Sequence, residues 1–203
     1  MLFRSAAIDF YFDFSSSYGY LASTEIDELA ARYGRSVNWK PILLGAVYKI
    51  NHELEVLKVA MKGPYVIRDI ARSARFHAIP YSLPSRFPIA ALAPARAFYW
   101  ANETDPALAK KLARGLFRAY FVEDRDISLP DVTADVAVAI GLNRGEVLAA
   151  LNDVAIKNKL RQEVDASIAR GVFGSPYVVV DGEPFWGFDR FDQIERWLAE
   201  GSF

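Results

Sequence analysis

The sequence contains no cysteine. That excludes disulfides, thiolate metal sites and a protein thiol as nucleophile. Histidine is almost as scarce. His52 and His77 are the only two, and no carboxylates stand at ligand spacing around either, so no metal site is expected. An excess of one charge is missing too: 24 basic residues face 25 acidic ones, for a net charge of −1. No basic surplus favours nucleic acid, and no charge block forms a tail. No apolar run reaches the ~18 residues of a membrane span. The opening MLFRSAAIDFYFDF is interrupted by Arg4, Asp9 and Asp13, so no signal-peptide core is visible. The expectation is a cytoplasmic protein that engages neither membrane nor nucleic acid. Phosphate loops, a dinucleotide fingerprint and a G-x-S-x-G elbow are also absent. A Ser-His-Asp hydrolase therefore ranks last among the enzyme readings.

What is present is apolar: 52% of 203 residues. That suits one compact domain, or one domain with a large insertion, needing no crosslink to hold its core. Residues 7–14 read as a buried strand rich in Ile, Phe and Tyr. Residues 18–33 show helical spacing through Leu21, Ile26, Leu29 and Ala30, with Gly34 as C-cap. Residues 36–43 read as a second strand. From about Pro64 to Arg170 the grammar is helical, with candidates at 65–76, 89–102, 106–122, 131–140, 144–151 and 154–170. Asp105-Pro106, Leu129-Pro130-Asp131 and Asn143 are start signals. After Gly171 strands return. Residues 177–180 are β-branched, Asp181-Gly182 predicts a two-residue hairpin, and 183–186 returns. A last amphipathic helix spans 191–199. The layout is βαβ, a helical block, then ββα, which predicts an α/β domain carrying a helical insertion.

Three stretches invite chemistry. In FDFSSSYGYLA, Ser15, Ser16 and Ser17 stand where a buried strand feeds a helix. The first N–H groups of a helix lack partners and its dipole favours an anion there. A serine at that place either caps the helix or adds a donor to the anion, and the two roles can coexist. In VFGSPY, Pro176 opens a strand after Gly174-Ser175 and is a candidate for a cis peptide, with an ordinary strand-start proline as the alternative. A cis bond would turn the preceding backbone outward, ready for strand addition by an extended peptide. In FWGFDRF, Asp189 stands where an N-cap would, and its carboxylate either caps the last helix or holds a ligand's ammonium group.

Taken together, Phe12-Asp13-Phe14-Ser15-Ser16-Ser17-Tyr18-Gly19-Tyr20-Leu21, Pro41-Ile42-Leu43-Leu44-Gly45, Lys62-Gly63-Pro64-Tyr65, Val172-Phe173-Gly174-Ser175-Pro176 and Trp186-Gly187-Phe188-Asp189-Arg190 resemble, in order, the thioredoxin-like DsbA family. The resemblance is to its branch of kappa-class glutathione transferases and 2-hydroxychromene-2-carboxylate isomerases. It implies a thioredoxin-like domain of residues 1–47 and 171–203 with an all-helical insertion of residues 48–170, usually as a homodimer. It implies glutathione as cofactor, bound where a dithiol oxidoreductase keeps its cysteines. By the same resemblance the catalytic serine falls on Ser16, followed by Ser17 where the family has proline. The remaining glutathione contacts fall on Asn51, Lys62, Ser175, Pro176, Phe188, Asp189 and Arg190.

The implied function is a glutathione-dependent isomerase acting on a small aromatic carboxylate, 2-hydroxychromene-2-carboxylate, and forming trans-o-hydroxybenzylidenepyruvate. A transferase that conjugates electrophiles at the same site is the first alternative. A catalytically silent peptide-binding module of thioredoxin fold is the second.

Overall fold

The computed structural model describes residues 7–51 and 55–203, the side chain of Asn51 excepted. His52 and Glu53 lie outside the described residues. Strand β1 (Ile8–Phe12) leads into helix α1 (Ser17–Arg32), which leads into β2 (Val37–Pro41). The helices α2 (Leu44–Asn51), α3 (Lys62–Phe76), α4 (Leu92–Thr104), α5 (Pro106–Phe121), α6 (Pro130–Val138), α7 (Arg144–Asn152) and α8 (Val154–Ala169) follow. Then come β3 (Tyr177–Val180), β4 (Glu183–Trp186) and α9 (Phe191–Glu200).

The four strands form one sheet in the order β2-β1-β3-β4. β1 runs parallel to β2, in register Ile8↔Val37 to Phe12↔Pro41, and antiparallel to β3. The β3–β4 hairpin turns on Asp181 and Gly182, with φ of 53° and 93°. A positive φ at both central residues is what a type I′ hairpin requires. Both ends of the chain thus meet in one sheet, as the βαβ and ββα grammar predicts.

Most helix boundaries fall within three residues of the sequence prediction. Asp105 caps α5 by accepting from Ala107 and Leu108 N–H, and Asn143 caps α7 through Glu146 N–H. Two differences are informative. Helix α2 was not predicted, because its cap is not local: the Leu44 N–H donates to the Asp13 carboxylate at 2.7 Å, 31 residues away. At the far end, Asp189 does not cap the last helix. Gly187, at φ 112°, turns the chain early, and Phe188–Arg190 form a 3-10 turn that runs straight into α9. Arg190 occupies the cap position, and no side chain caps it.

The core is aromatic. On one face of β1, Ile8, Phe10 and Phe12 are fully buried. Phe12 packs against the rings of Phe10, Phe14 and Trp39 on the sheet side, and of Phe98 and Phe117 on the helical side. One ring thus ties α4 and α5 to the sheet. Phe12→Ala should lower stability by about 3–5 kcal/mol, the usual cost of emptying a buried phenylalanine site. Urea denaturation reads this directly, and a loss under ~1 kcal/mol would show that the helices hold the sheet by other contacts.

Candidate active site

β1 ends at Phe12 and the chain turns at once. Ser15 N–H donates to Asp13 Oδ1 at 2.7 Å, and Ser16 N–H to the Asp13 carbonyl at 2.9 Å. Ser16 then caps α1. Its Oγ accepts the Gly19 N–H at 3.0 Å and donates its proton to the Ser175 carbonyl, also at 3.0 Å. Ser175 Oγ accepts the Asp13 N–H at 2.9 Å. Two segments about 160 residues apart are therefore bonded reciprocally. Gly19 is required by this approach: a Cβ there would lie 2.7 Å from Ser175 Oγ and 3.2 Å from the Ser16 Cβ. The Ser175–Pro176 peptide is cis. Gly187 N–H donates to the Pro176 carbonyl at 3.1 Å, which draws the Phe188–Arg190 turn alongside.

Asp13 lies beneath this junction and is buried. Burial pushes its carboxyl pKa up, against the pull of hydrogen bonds from Ser15 N–H, Leu44 N–H and the Ser15 hydroxyl. It joins the end of β1 to the start of α2 while its own N–H holds Ser175. Above it, the N–H groups of Ser17 and Tyr18 occupy the first positions of α1, where no intrahelical acceptor exists. With the helix dipole, they make the mouth of the junction receptive to an anion.

One side of that mouth is built by α3. Tyr18 donates its phenol to Asp69 at 2.6 Å, and Tyr65 donates to the same carboxylate at 3.4 Å. Arg72 donates to Tyr65 Oη at 3.2 Å and to Asp69. Burial, then the Asp69 hydrogen bond and charge, hold the Tyr18 phenol well above its ordinary pKa, with Tyr65 and Asp189 adding to the effect. For Asp69, burial acts upward. The hydrogen bonds from Tyr18 and Arg72 and the Arg72 charge outweigh it and keep the carboxyl below its usual range. The pair is a neutral phenol donating to an ionised acid.

The residues expected at the site fall into three groups. Ser16, Ser175 and Pro176 come together at the junction, and the hydrogen bond between Pro176 and Gly187 brings the Phe188–Arg190 turn beside them. Within that turn, Phe188 is buried and can offer only its backbone. Asp189 is 72% exposed and lies 3.2 Å from the Arg190 guanidinium. Lys62 opens α3, exposed, two turns from Asp69 and on its side of the helix. Ser17 points inward, buried, with its hydroxyl 3.2 Å from that of Tyr81. Asn51 closes α2, and its side chain lies outside the described part.

His77 has a partner the sequence did not reveal. Its Nδ1 lies 3.1 Å from Glu25, and its ring packs on Phe188 at 4.6 Å. Ser16 is bonded to Ser175 and Gly19 instead, so His77 does not activate it. Among the described residues no three His, Asp or Glu gather as a metal-binding group, and no helix is long and apolar enough to cross a membrane. Sequence reasoning missed Asp13, Tyr18 and Asp69 as parts of the site. The one available signal was an acid, Asp13, within an apolar strand run.

Residues 7–199 match the family described as "DSBA-like thioredoxin domain". Among curated proteins, a 2-hydroxychromene-2-carboxylate isomerase of Pseudomonas putida is 28% identical, over 93% of this chain and 92% of its own length. Glutathione S-transferase kappa 2 of Caenorhabditis elegans is 26% identical, over 95% of this chain and 92% of its own. Among solved structures, a 2-hydroxychromene-2-carboxylate isomerase superposes with a TM-score of 0.86 at 27% identity, covering 95% of this chain and 94% of the other.

Asp13→Ala should leave the Ser15 and Leu44 N–H groups without their acceptor and cost about 1–3 kcal/mol. A raised folded pKa means the folded chain keeps the proton longer than the unfolded chain. Asp13's contribution is therefore full below the ordinary carboxylate range and is lost as pH rises through the folded value. Urea titrations from about pH 4 to about pH 8 should show the gap between the two proteins narrowing upward. A gap independent of pH would mean that Asp13 does not titrate in that window.

Proposed function

The chain belongs to the DSBA-like thioredoxin domain family, and we propose that within it the chain is a glutathione-dependent isomerase interconverting 2-hydroxychromene-2-carboxylate and trans-o-hydroxybenzylidenepyruvate. The observation that carries this reading is the Ser16 hydroxyl, shared between the first turn of α1 and the Ser175 carbonyl. Relatives named for the isomerase and for the kappa-class transferase span nearly the whole chain and support it.

The donor set fits a thiol peptide. The chain has no sulfur nucleophile of its own, since cysteine is absent. Bound glutathione would supply that nucleophile for reversible addition to the substrate's unsaturated bond. Ser16 would face the sulfur. Its single proton is directed at Ser175 O, so donation to the ligand requires the hydroxyl to rotate about its C–O bond. The Ser17 and Tyr18 N–H groups and the α1 dipole would add to it. Lowering a thiol pKa by one unit takes about 1.4 kcal/mol, within the reach of a dipole and a hydrogen bond.

Other residues would grip the ends of the ligand. The backbone of Ser175 would pair with the peptide beside Pro176. Asp189, exposed and free of any capping duty, would receive the ammonium group, with Phe188 backbone and Arg190 beside it. The resemblance assigns a further contact to Asn51, whose side chain lies outside the described part. Lys62 would meet the substrate's carboxylate from α3. The same cradle serves conjugation equally well. The kappa-class relative favours that second reading, and the two differ in whether glutathione is regenerated or consumed.

Three outcomes are expected. The protein should isomerise 2-hydroxychromene-2-carboxylate with sub-stoichiometric glutathione, followed by absorbance; clear conjugation of electrophiles without isomerisation would establish the transferase instead. Ser16→Ala should raise the pKa of bound glutathione, seen as weaker thiolate absorbance near neutral pH, and an unchanged titration would remove Ser16 from the mechanism. Asp189→Asn should weaken glutathione binding by roughly tenfold, the worth of a charge-assisted contact, and turnover should recover when glutathione saturates. Turnover that stays low at saturation would mean that Asp189 does more than anchor.

A further inference from the structure

Strand β2 forms one edge of the sheet. Its bonds to β1 decide which way its backbone groups face. The Ile8 N–H donates to the Ser36 carbonyl at 2.8 Å, and the Ile42 N–H to the Phe12 carbonyl at 2.7 Å. A parallel ladder uses alternate residues of each strand. The register Ile8↔Val37 to Phe12↔Pro41 makes those residues Ser36, Asn38, Lys40 and Ile42. Val37, Trp39 and Pro41 therefore turn their backbone groups away from the sheet. Pro41 has no N–H, and its carbonyl accepts the Tyr99 phenol at 2.8 Å. The N–H groups and carbonyls of Val37 and Trp39 have no such partner among the described residues. Both residues are nearly buried, at 4% and 5% exposed, and the Trp39 indole N–H is also buried without an acceptor. Buried polar groups are almost always satisfied, so unpaired ones gathered at one strand edge point to a ligand.

Beside this edge lies a groove of about 240 Å³, bounded by Val37 to Lys40 and by helices α4, α5 and α8. That is below the ~300–1,000 Å³ of a usual small-molecule pocket. It suits a short segment no longer than the free part of the edge. Lys40, Lys110 and Lys159 line it, with Glu163 as the one acid. Lys159 pairs with Glu163 at 2.8 Å. Lys40 shares Asp9 with Arg170, and Lys110 shares Asp27 with Arg114. Each of those two carboxylates faces two cations, so the groove keeps a positive surplus.

We infer that this groove is a second binding site, where an extended acidic segment of another protein adds to the edge of β2 as a short fifth strand. The alternating N–H and C=O groups of Val37 and Trp39 are what one strand offers another. A bare inorganic anion would satisfy the N–H groups and be repelled by the carbonyls between them. Lys40 and Lys110 would receive the segment's carboxylates. The site is separate from the junction at Ser16. The groove borders Val37 to Lys40, which pair with Ile8 to Tyr11, whereas Ser16 follows the other end of β1.

The test is amide NMR on the isotope-labelled full-length protein. Acetyl-Asp-Glu-Asp-amide, whose blocked ends imitate an internal segment, should move the Val37 and Trp39 amide signals saturably at millimolar concentration. The neutral acetyl-Asn-Gln-Asn-amide should bind roughly tenfold more weakly, the worth of charge-assisted contacts, and so should the acidic peptide to a Lys40→Gln, Lys110→Gln chain. Val37→Pro should abolish binding while far-UV circular dichroism stays unchanged, because an outward N–H carries no ladder bond and an edge strand tolerates proline. If proline unfolds the chain, the lysine pair decides, since it leaves the backbone intact. Amide signals that do not move, a neutral peptide that binds as tightly, the same shifts from inorganic phosphate, or undiminished binding by a folded Val37→Pro chain would each overturn the inference. The signals read are those of Val37 and Trp39, so the result stands apart from whether glutathione binds at Ser16.

Discussion

The Asp13 carboxylate accepts N–H donors from two different segments while its own N–H donates to a third. Through those bonds the end of β1, the first turn of α2 and the loop before β3 are fixed to one another. Ser16 inherits its position from that arrangement. It begins α1 just after Asp13 turns the chain at Ser15, and it meets Ser175 in the loop that the Asp13 N–H also holds. A buried acid is costly, and it persists where several donors depend on it at once. An apolar residue at this place would leave those donors orphaned.

Around that point the fold makes a division of labour. The apolar face of the sheet is filled by stacked rings, which are non-directional in their stabilisation and tolerate a range of partners. The end of the sheet is held by short hydrogen bonds, which have direction and place atoms to within tenths of an ångström. Phe12 shows the join. Its ring belongs to the core, and the residue after it is Asp13. That ring thereby ties α4 and α5 to the strand that leads into Ser16.

Helix α3 is different in kind. Little of it is buried, and polar contacts tie it to α1: the Tyr18–Asp69 hydrogen bond, supported by Arg72, and the His77–Glu25 contact at 3.1 Å. It is a polar attachment beside a polar mouth. A segment held in this way can present charged and aromatic groups to a ligand or to another chain, whereas a helix sunk into the core could not.

Much of this was legible in the chain itself. Periodicity separated strands from helices, Asp181-Gly182 announced its hairpin, and the local caps at Asp105 and Asn143 fixed two helix starts. These signals act over two to four residues, so a reader of the sequence meets both partners together. The ordered motifs from Phe12 to Arg190 pointed to the family and to Ser16. Other features have their cause in a residue far away. Helix α2 starts where Asp13 receives Leu44, the three serines differ because Ser16 faces Ser175 while Ser17 faces Tyr81, and Asp189 pairs with Arg190 and does not cap α9 because Gly187 turns the chain before it. No local pattern encodes such pairings, since each depends on how the whole chain packs. Composition and periodicity therefore determined the strands, the helices other than α2 and their order, while the tertiary structure alone decided which polar groups meet at the end of the sheet.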